Sequence, residues 1–144
     1  MYHFLLLFLL ANFYTINGRV QTISIGGRFL CLGKPVPFHN VILKEADFFT
    51  DDTLAVSATD KDGYFFLMGM DDEVLPITPY IESTFACCEP GKECKPQKER
   101  LDIPFGQLSI FQNQNVFNFG DIEMFGITSN RIIFQNYGRE GYGM

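Results

Sequence analysis

The sequence predicts an all-β sandwich of about seven to eight strands, and three observations carry that prediction. Several short runs alternate apolar and polar residues with a period of two, the signature of strands with one buried face. Turn-forming Gly, Pro and Asp punctuate those runs at regular spacing. No stretch of helical length carries an apolar stripe with a period of 3.6 residues, so helices contribute little.

Residues 21–31 alternate cleanly, with Ile23, Ile25, Gly27, Phe29 and Cys31 on one face and Thr22, Ser24, Gly26 and Arg28 on the other. Gly33-Lys34-Pro35-Val36-Pro37 then breaks the strand, because each proline fixes φ and lacks a backbone donor. A second strand over 41–45 turns Val41 and Leu43 inward, and residues 47–53 form an acidic loop. Residues 54–58 alternate again before Asp60-Lys61-Asp62-Gly63. Asp-Gly provides a positive-φ turn, so a hairpin is expected here, joining neighbouring antiparallel strands, with Phe65 and Leu67 on one face of the second.

Asp71-Asp72-Glu73 opens the next connection, with a short helical turn through Val74 and Leu75 that Pro76 and Pro79 stop. Residues 80–87 place Ile81, Ser83, Phe85 and Cys87 on one face, and 89–96 are a polar loop. Residues 98–103 turn Leu101 and Ile103 inward, with Lys98, Arg100 and Asp102 outward. Residues 116–124 form the last strand pair, with Phe117 and Phe119 inward before Gly120. One further strand is expected over 131–135, and Gly138, Gly141 and Gly143 mark a frayed terminus. The domain is therefore assigned to residues 19–126, and 127–144 to a C-terminal strand and flexible tail.

Residues 4–11 are uninterruptedly apolar and end before the polar Asn17-Gly18, which predicts a secretory signal peptide over residues 1–18. That run is too short for a membrane anchor, so the chain is not expected to be an integral membrane protein. The net charge of −6 and pI near 4.8 exclude nucleic acid as a partner, since phosphate binding needs basic clusters. Cys31, Cys87, Cys88 and Cys94 in a secreted chain read as two disulfides. They lack paired C-x-x-C spacing and His39 is remote in sequence, so neither a zinc site nor any other metal or cofactor is assigned. No Asn-x-Ser/Thr acceptor occurs.

An ordered series of short stretches resembles the nematode transthyretin-like family of secreted proteins. It comprises Gly27-Arg28-Phe29-Leu30-Cys31, Gly33-Lys34-Pro35-Val36, Val41-Ile42-Leu43-Lys44 and Asp51-Asp52-Thr53-Leu54-Ala55. It continues through Thr59-Asp60-Lys61-Asp62-Gly63-Tyr64-Phe65, Ile77-Thr78-Pro79-Tyr80-Ile81, Cys87 with Cys94, and Phe117-Asn118-Phe119-Gly120. The resemblance implies a transthyretin-like (prealbumin-like) sandwich, secretion and a non-enzymatic extracellular role. Many relatives carry a cysteine near the C-terminus, whereas here the fourth cysteine adjoins another, as Cys87-Cys88. Strand parity turns Cys31 and Cys87 inward and Cys88 outward toward the Cys94 loop, which predicts the pairs Cys31–Cys87 and Cys88–Cys94.

No catalytic residue is assigned. The hydrolases related to transthyretin use histidines, an arginine and a C-terminal Tyr-Arg-Gly-Ser motif, whereas this chain ends Glu140-Gly141-Tyr142-Gly143-Met144. Beyond residue 18 it offers only His39, read as a solvated turn residue, and acid/base hydrolysis needs a positioned partner. Asp60-Lys61-Asp62-Gly63 starts like a calcium loop, but the later ligand spacing fails. Asp47, Asp51 and Asp52 with Asp71, Asp72 and Glu73 are read as solvated acidic loops.

Phenylalanine is the unusual component, at 16 residues. Most sit at inward positions, but Phe38, Phe48, Phe49, Phe105 and Phe111 fall in turns or loops, where an aromatic suggests an interface. Phe38, Phe48 and Phe49 are the candidate binding residues. The expected function is extracellular binding of a protein, a lipid or a small apolar ligand. The alternative is an oligomeric carrier with a central ligand channel.

Overall fold

The computed structural model describes residues 19–73, 77–103 and 114–126. Eight strands follow in chain order: β1 (Arg19–Cys31), β2 (Lys34–Pro35), β3 (Asn40–Glu45), β4 (Asp52–Ala58), β5 (Tyr64–Glu73), β6 (Pro79–Phe85), β7 (Gln97–Asp102) and β8 (Gln114–Glu123). They form two four-stranded sheets. In one, β1 pairs antiparallel with β2 and β5 and parallel with β8; the other has the antiparallel order β4-β3-β6-β7.

The predicted facings hold in β1, β3 and β7, because alternation is a local property of an extended chain, but not in β4, where Leu54 and Ala55 both pack against the core and Val56 is exposed beside a register shift against β3. Ile23, Ile25 and Phe29 of β1 are fully buried, facing Val41 and Leu43 of β3 across the sandwich, with Ile81 of β6 in the same core. Phe29 and Phe65 seal one end of this core with their rings 4.9 Å apart. Each fully buried aliphatic or aromatic side chain contributes about 1.5–3 kcal/mol relative to exposure.

The expected hairpin at residues 59–65 is not a hairpin. The turn forms, with Gly63 at φ 83°, and the Asp60 Oδ1 accepts the N–H groups of Asp62 and Tyr64 at 2.8 and 2.9 Å. That is turn chemistry and accounts for the calcium-like spacing. However, β4 and β5 belong to different sheets, so the turn carries the chain across the sandwich. The reason is competition for edges: β5 pairs with β1 over ten residue pairs, and β4 takes the edge of β3.

Four smaller expectations are also corrected. Asp71-Asp72-Glu73 do not open a connection but end β5, opposite Gln21, Val20 and Arg19; the expected helical turn through Val74 and Leu75 lies outside the described residues. The first break comes earlier than the prolines, at Leu32-Gly33, whose positive φ values let Lys34–Pro35 fold back onto Leu30 and Cys31. The acidic loop ends one residue before Asp52, where β4 begins. The last strand pair is a single strand, β8. A register shift against β1 between Gly26 and Arg28 moves its inward set from Phe117 and the partly buried Phe119 to Ile122 and Met124. Residues 1–18, Phe105, Phe111 and the tail 127–144 lie outside the described residues.

Two disulfides close the structure at the Cys-rich end. Cys31 at the end of β1 joins Cys87 beyond β6 across the sandwich, with Cα atoms 5.7 Å apart. Cys88 joins Cys94 within the β6–β7 loop. At the same end the Glu123 carboxylate accepts the N–H groups of Leu32 and Gly33 at 2.8 Å each, and that of Phe125 at 3.0 Å, tying β8 to the β1–β2 turn. Burial pushes the Glu123 carboxyl up, but the backbone donors of Phe125, Gly33, Leu32 and Met124 outweigh it and hold it below its ordinary value of 4.5.

A lowered folded-state value contributes stability that is present above about pH 4.5 and lost as pH falls through the folded-state value. We therefore expect Glu123→Gln to be less stable than the parent at pH 7 by about 1 kcal/mol or less, given solvent screening. The difference should shrink on acidification below pH 4.5. Urea unfolding at pH 7 and pH 3 measures it, and an unchanged difference would contradict the assignment.

Candidate functional site

The three candidate phenylalanines do not form one site. Phe48 and Phe49 occupy the β3–β4 loop with their rings 5.9 Å apart edge to face, and they are 98% and 94% exposed. Phe38 is also exposed, at 76%, but precedes β3 at its other end. A six-residue strand spans about 20 Å, so Phe38 cannot act with the pair as a single contact. Phe38 has φ 53° and its N–H donates to the Thr59 carbonyl at 3.0 Å, which fixes the backbone while leaving the ring in solvent.

The loop that carries Phe48 and Phe49 has a firm base. Ala46 N–H donates to the Thr78 carbonyl at 3.1 Å, and the Tyr80 hydroxyl donates to Asp51 Oδ2 at 2.5 Å. The Arg100 guanidinium lies 3.7 Å from the centre of the Tyr80 ring, and its Nε donates to Asp102 at 2.7 Å. Burial, followed by the Asp51 carboxylate, pushes the Tyr80 phenol up to about 12, so it stays a protonated donor at physiological pH. The same hydrogen bond, against some desolvation and helped by Asp47 N–H and Arg100, holds the Asp51 carboxyl below its usual range.

Sequence reasoning missed Tyr80 and Arg100. In β6, Pro79, Tyr80 and Ile81 are consecutively buried, so Tyr80 is covered on a face that alternation assigns to water. Alternation places Arg100 outward but does not reveal that it stacks on Tyr80. The available signal was the pairing of an outward Tyr with an outward Arg and Asp on neighbouring strands, a combination that packs as a stacked cation with a charged acceptor.

A second surface was also overlooked. Phe66, Met68 and Met70 on the outward face of β5 are each more than half exposed, as are Tyr64 beside them, Val20 of β1 and Val116 of β8. Phe65 and Leu67 face the core, so β5 is apolar on both faces over its first half. The signal was present in the sequence as a continuous apolar run, which marks a strand covered on two sides.

The residues with reactive potential are engaged. His39 is not a solvated turn residue: its Nε2 lies 2.7 Å from the Thr84 carbonyl, and its ring meets Phe85 edge to face at 5.9 Å. Thr59, just beyond β4, fixes the same turn, its hydroxyl accepting His39 N–H and donating to the Val36 carbonyl. All four cysteines are disulfide-bonded. Among the described residues no group of three or more His, Cys, Asp or Glu side chains is placed to hold a metal ion. None of the described residues forms a helix long and apolar enough to cross a membrane.

The sequence model of the transthyretin-like family matches residues 26–104. Among curated proteins, the chain is 30% identical to transthyretin-like protein 5 of Caenorhabditis elegans, over 85% of this chain and 89% of that protein. It is 29% identical to transthyretin-like protein 1 of the same organism, over 82% of each. With transthyretin-like protein 33 it shares 32% identity over 72% of this chain and 74% of the relative. Among solved structures, a 9R-lipoxygenase from Cyanothece aligns with a TM-score of 0.46 and 16% identity, over 82% of this chain and 19% of the lipoxygenase.

Proposed function

The chain belongs to the transthyretin-like family, and from that premise we infer that it is a secreted, non-enzymatic protein that binds a partner in the extracellular space. The observation that carries this reading is the Phe48–Phe49 pair, two large aromatic rings left almost wholly in water on an anchored loop. Exposing that much apolar surface is unfavourable unless a partner covers it. An aromatic pair on a firm base loses little freedom when it docks, which suits a binding anchor. The two disulfides agree with an oxidising compartment and hence with secretion. The non-enzymatic reading rests on a ring of His39 held at Thr84 and on cysteines without a thiolate.

Changing Phe48 and Phe49 together to Ser tests the reading. The fold should survive, because neither ring contributes to the core. Partner affinity should fall by 2 kcal/mol or more, about thirtyfold. The measurement is mass spectrometry of proteins and lipids that co-purify with each form from extracellular fluid. An identical set at identical yield for the two forms would refute the role of the pair.

The outward face of β5 favours a second reading, an oligomeric carrier of a small apolar ligand. Facing copies of Phe66, Met68 and Met70 would line an apolar channel between subunits. Such a channel cannot exist in a monomer, so light scattering on the purified protein separates the two readings.

A further inference from the structure

We propose that the mouth of the sandwich beside the two disulfides is a binding site for a small organic cation, with Glu99 as its counter-charge. Glu99 lies on the inward face of β7, in line with Leu101. It is only 4% exposed, and among the described residues no group donates a hydrogen bond to its Oε2. It lines a cavity of about 230 Å³ together with Phe85, Met124, Cys87, Gln97 and Lys95.

The neighbouring cations on β7 are committed elsewhere. Lys98 reaches Glu82 on the outer face at 2.9 Å, and Arg100 is held by Tyr80 and Asp102. Ser83, directly opposite Glu99 on β6, donates its hydroxyl to the Asn40 carbonyl at 2.7 Å. Lys95 also lines the cavity, from the exposed β6–β7 loop, and among the described residues it forms no ion pair with Glu99. The buried Oε2 is left unpaired, and a cation entering the cavity would bring the carboxylate an opposite charge.

The other walls define the rest of the ligand. Phe85 and Met124 offer an aromatic ring and a polarisable thioether to an apolar body. Gln97 adds donor and acceptor capacity at the rim. The volume is below the usual 300–1,000 Å³ of small-molecule sites, so the ligand is small, an aryl-alkyl ammonium in class. Cys87 and Cys94, one from each disulfide, brace the walls, so the cavity exists before the ligand arrives. The acidic character of the protein favours the encounter. This site is separate from the Phe48–Phe49 loop, so either can fail without the other.

The test uses the disulfide-bonded protein and three probes in isothermal titration: 2-phenylethylamine, the neutral 2-phenylethanol and the anionic 3-phenylpropionate. The amine should bind saturably with a stoichiometry of about one, and the alcohol and the acid at least tenfold more weakly. Glu99→Gln, with circular dichroism and disulfide pattern unchanged, should lower amine affinity at least tenfold. Amine binding that equals alcohol binding in the parent protein would overturn the proposal without any variant. So would an unchanged affinity in Glu99→Gln, or a parent protein that binds none of the three because Lys95 already fills the cavity.

Discussion

Removing the Cys31–Cys87 disulfide by the double change Cys31→Ala and Cys87→Ala should lower folding stability by roughly 3–4 kcal/mol. The bond closes a chain segment of 56 residues, so its loss releases a large loop entropy in the unfolded state. It also lies where β1 and β6, strands of opposite sheets, come together, so no ladder of hydrogen bonds replaces it. The Cys88–Cys94 bond closes only six residues, and its removal should cost about 2 kcal/mol in the same chain-entropy account. Urea unfolding of the two double variants at pH 7 measures both. The ranking is the sharp part of the expectation: a larger loss from the local pair would show that strain or loop packing, not loop length, sets these values. Peptide mapping that joined Cys31 to Cys94 would remove its basis altogether.

Gly63→Ala should destabilise the protein by about 2–3 kcal/mol, the largest effect expected from a single added methyl group. Gly63 has φ 83°, where a side chain is disfavoured by about 1 kcal/mol or more. The turn alone accounts for that part. The rest comes from packing, because a Cβ built on Gly63 lies 2.6 Å from the Phe29 carbonyl oxygen and 3.2 Å from Val36 N. Both are backbone atoms in the ladder that ties β1 to the turn: Phe29 N–H donates to Gly63 O and Val36 N–H to Phe29 O. Neither atom can move without disturbing the buried Phe29 ring. Gly91→Ala is the matched control, since φ is 79° there but nothing lies within 4 Å of the added carbon. Thermal unfolding should show a loss for Gly63→Ala at least twice that for Gly91→Ala. Equal losses would mean that the close approach to β1 carries no energy.

The turn at Gly63 separates what was legible in the sequence from what was not. Gly63 after Asp62 was readable as a left-handed turn, because turn chemistry involves four adjacent residues and their own side chains. Its use as a crossing between sheets was not, because that depends on which strand β5 meets, and its partner β1 lies 36 residues back along the chain at Arg28–Tyr64 and 54 back at Arg19–Glu73.

Alternation within a strand likewise belongs to the chain by itself. It placed Ile23, Ile25, Phe29, Val41, Leu43, Ile81 and Leu101 inward, and with them Cys31 and Cys87, whose bond the structure contains. Phe38, Phe48 and Phe49 were legible as exposed because they fall in loops outside the alternating runs. What converges on a site was decided only in three dimensions. Tyr80 is buried because the 46–51 loop and Arg100 come to lie over it. Phe38 is parted from Phe48 by the length of β3. Glu99 meets Phe85 and Met124 only because β6, β7 and the end of β8 close on one another at the disulfide end. Period-two alternation is a property of successive residues, so a sequence determines it alone; the pairing of edges and the closure of the two sheets are settled by competition among distant segments, and only the folded chain decides them.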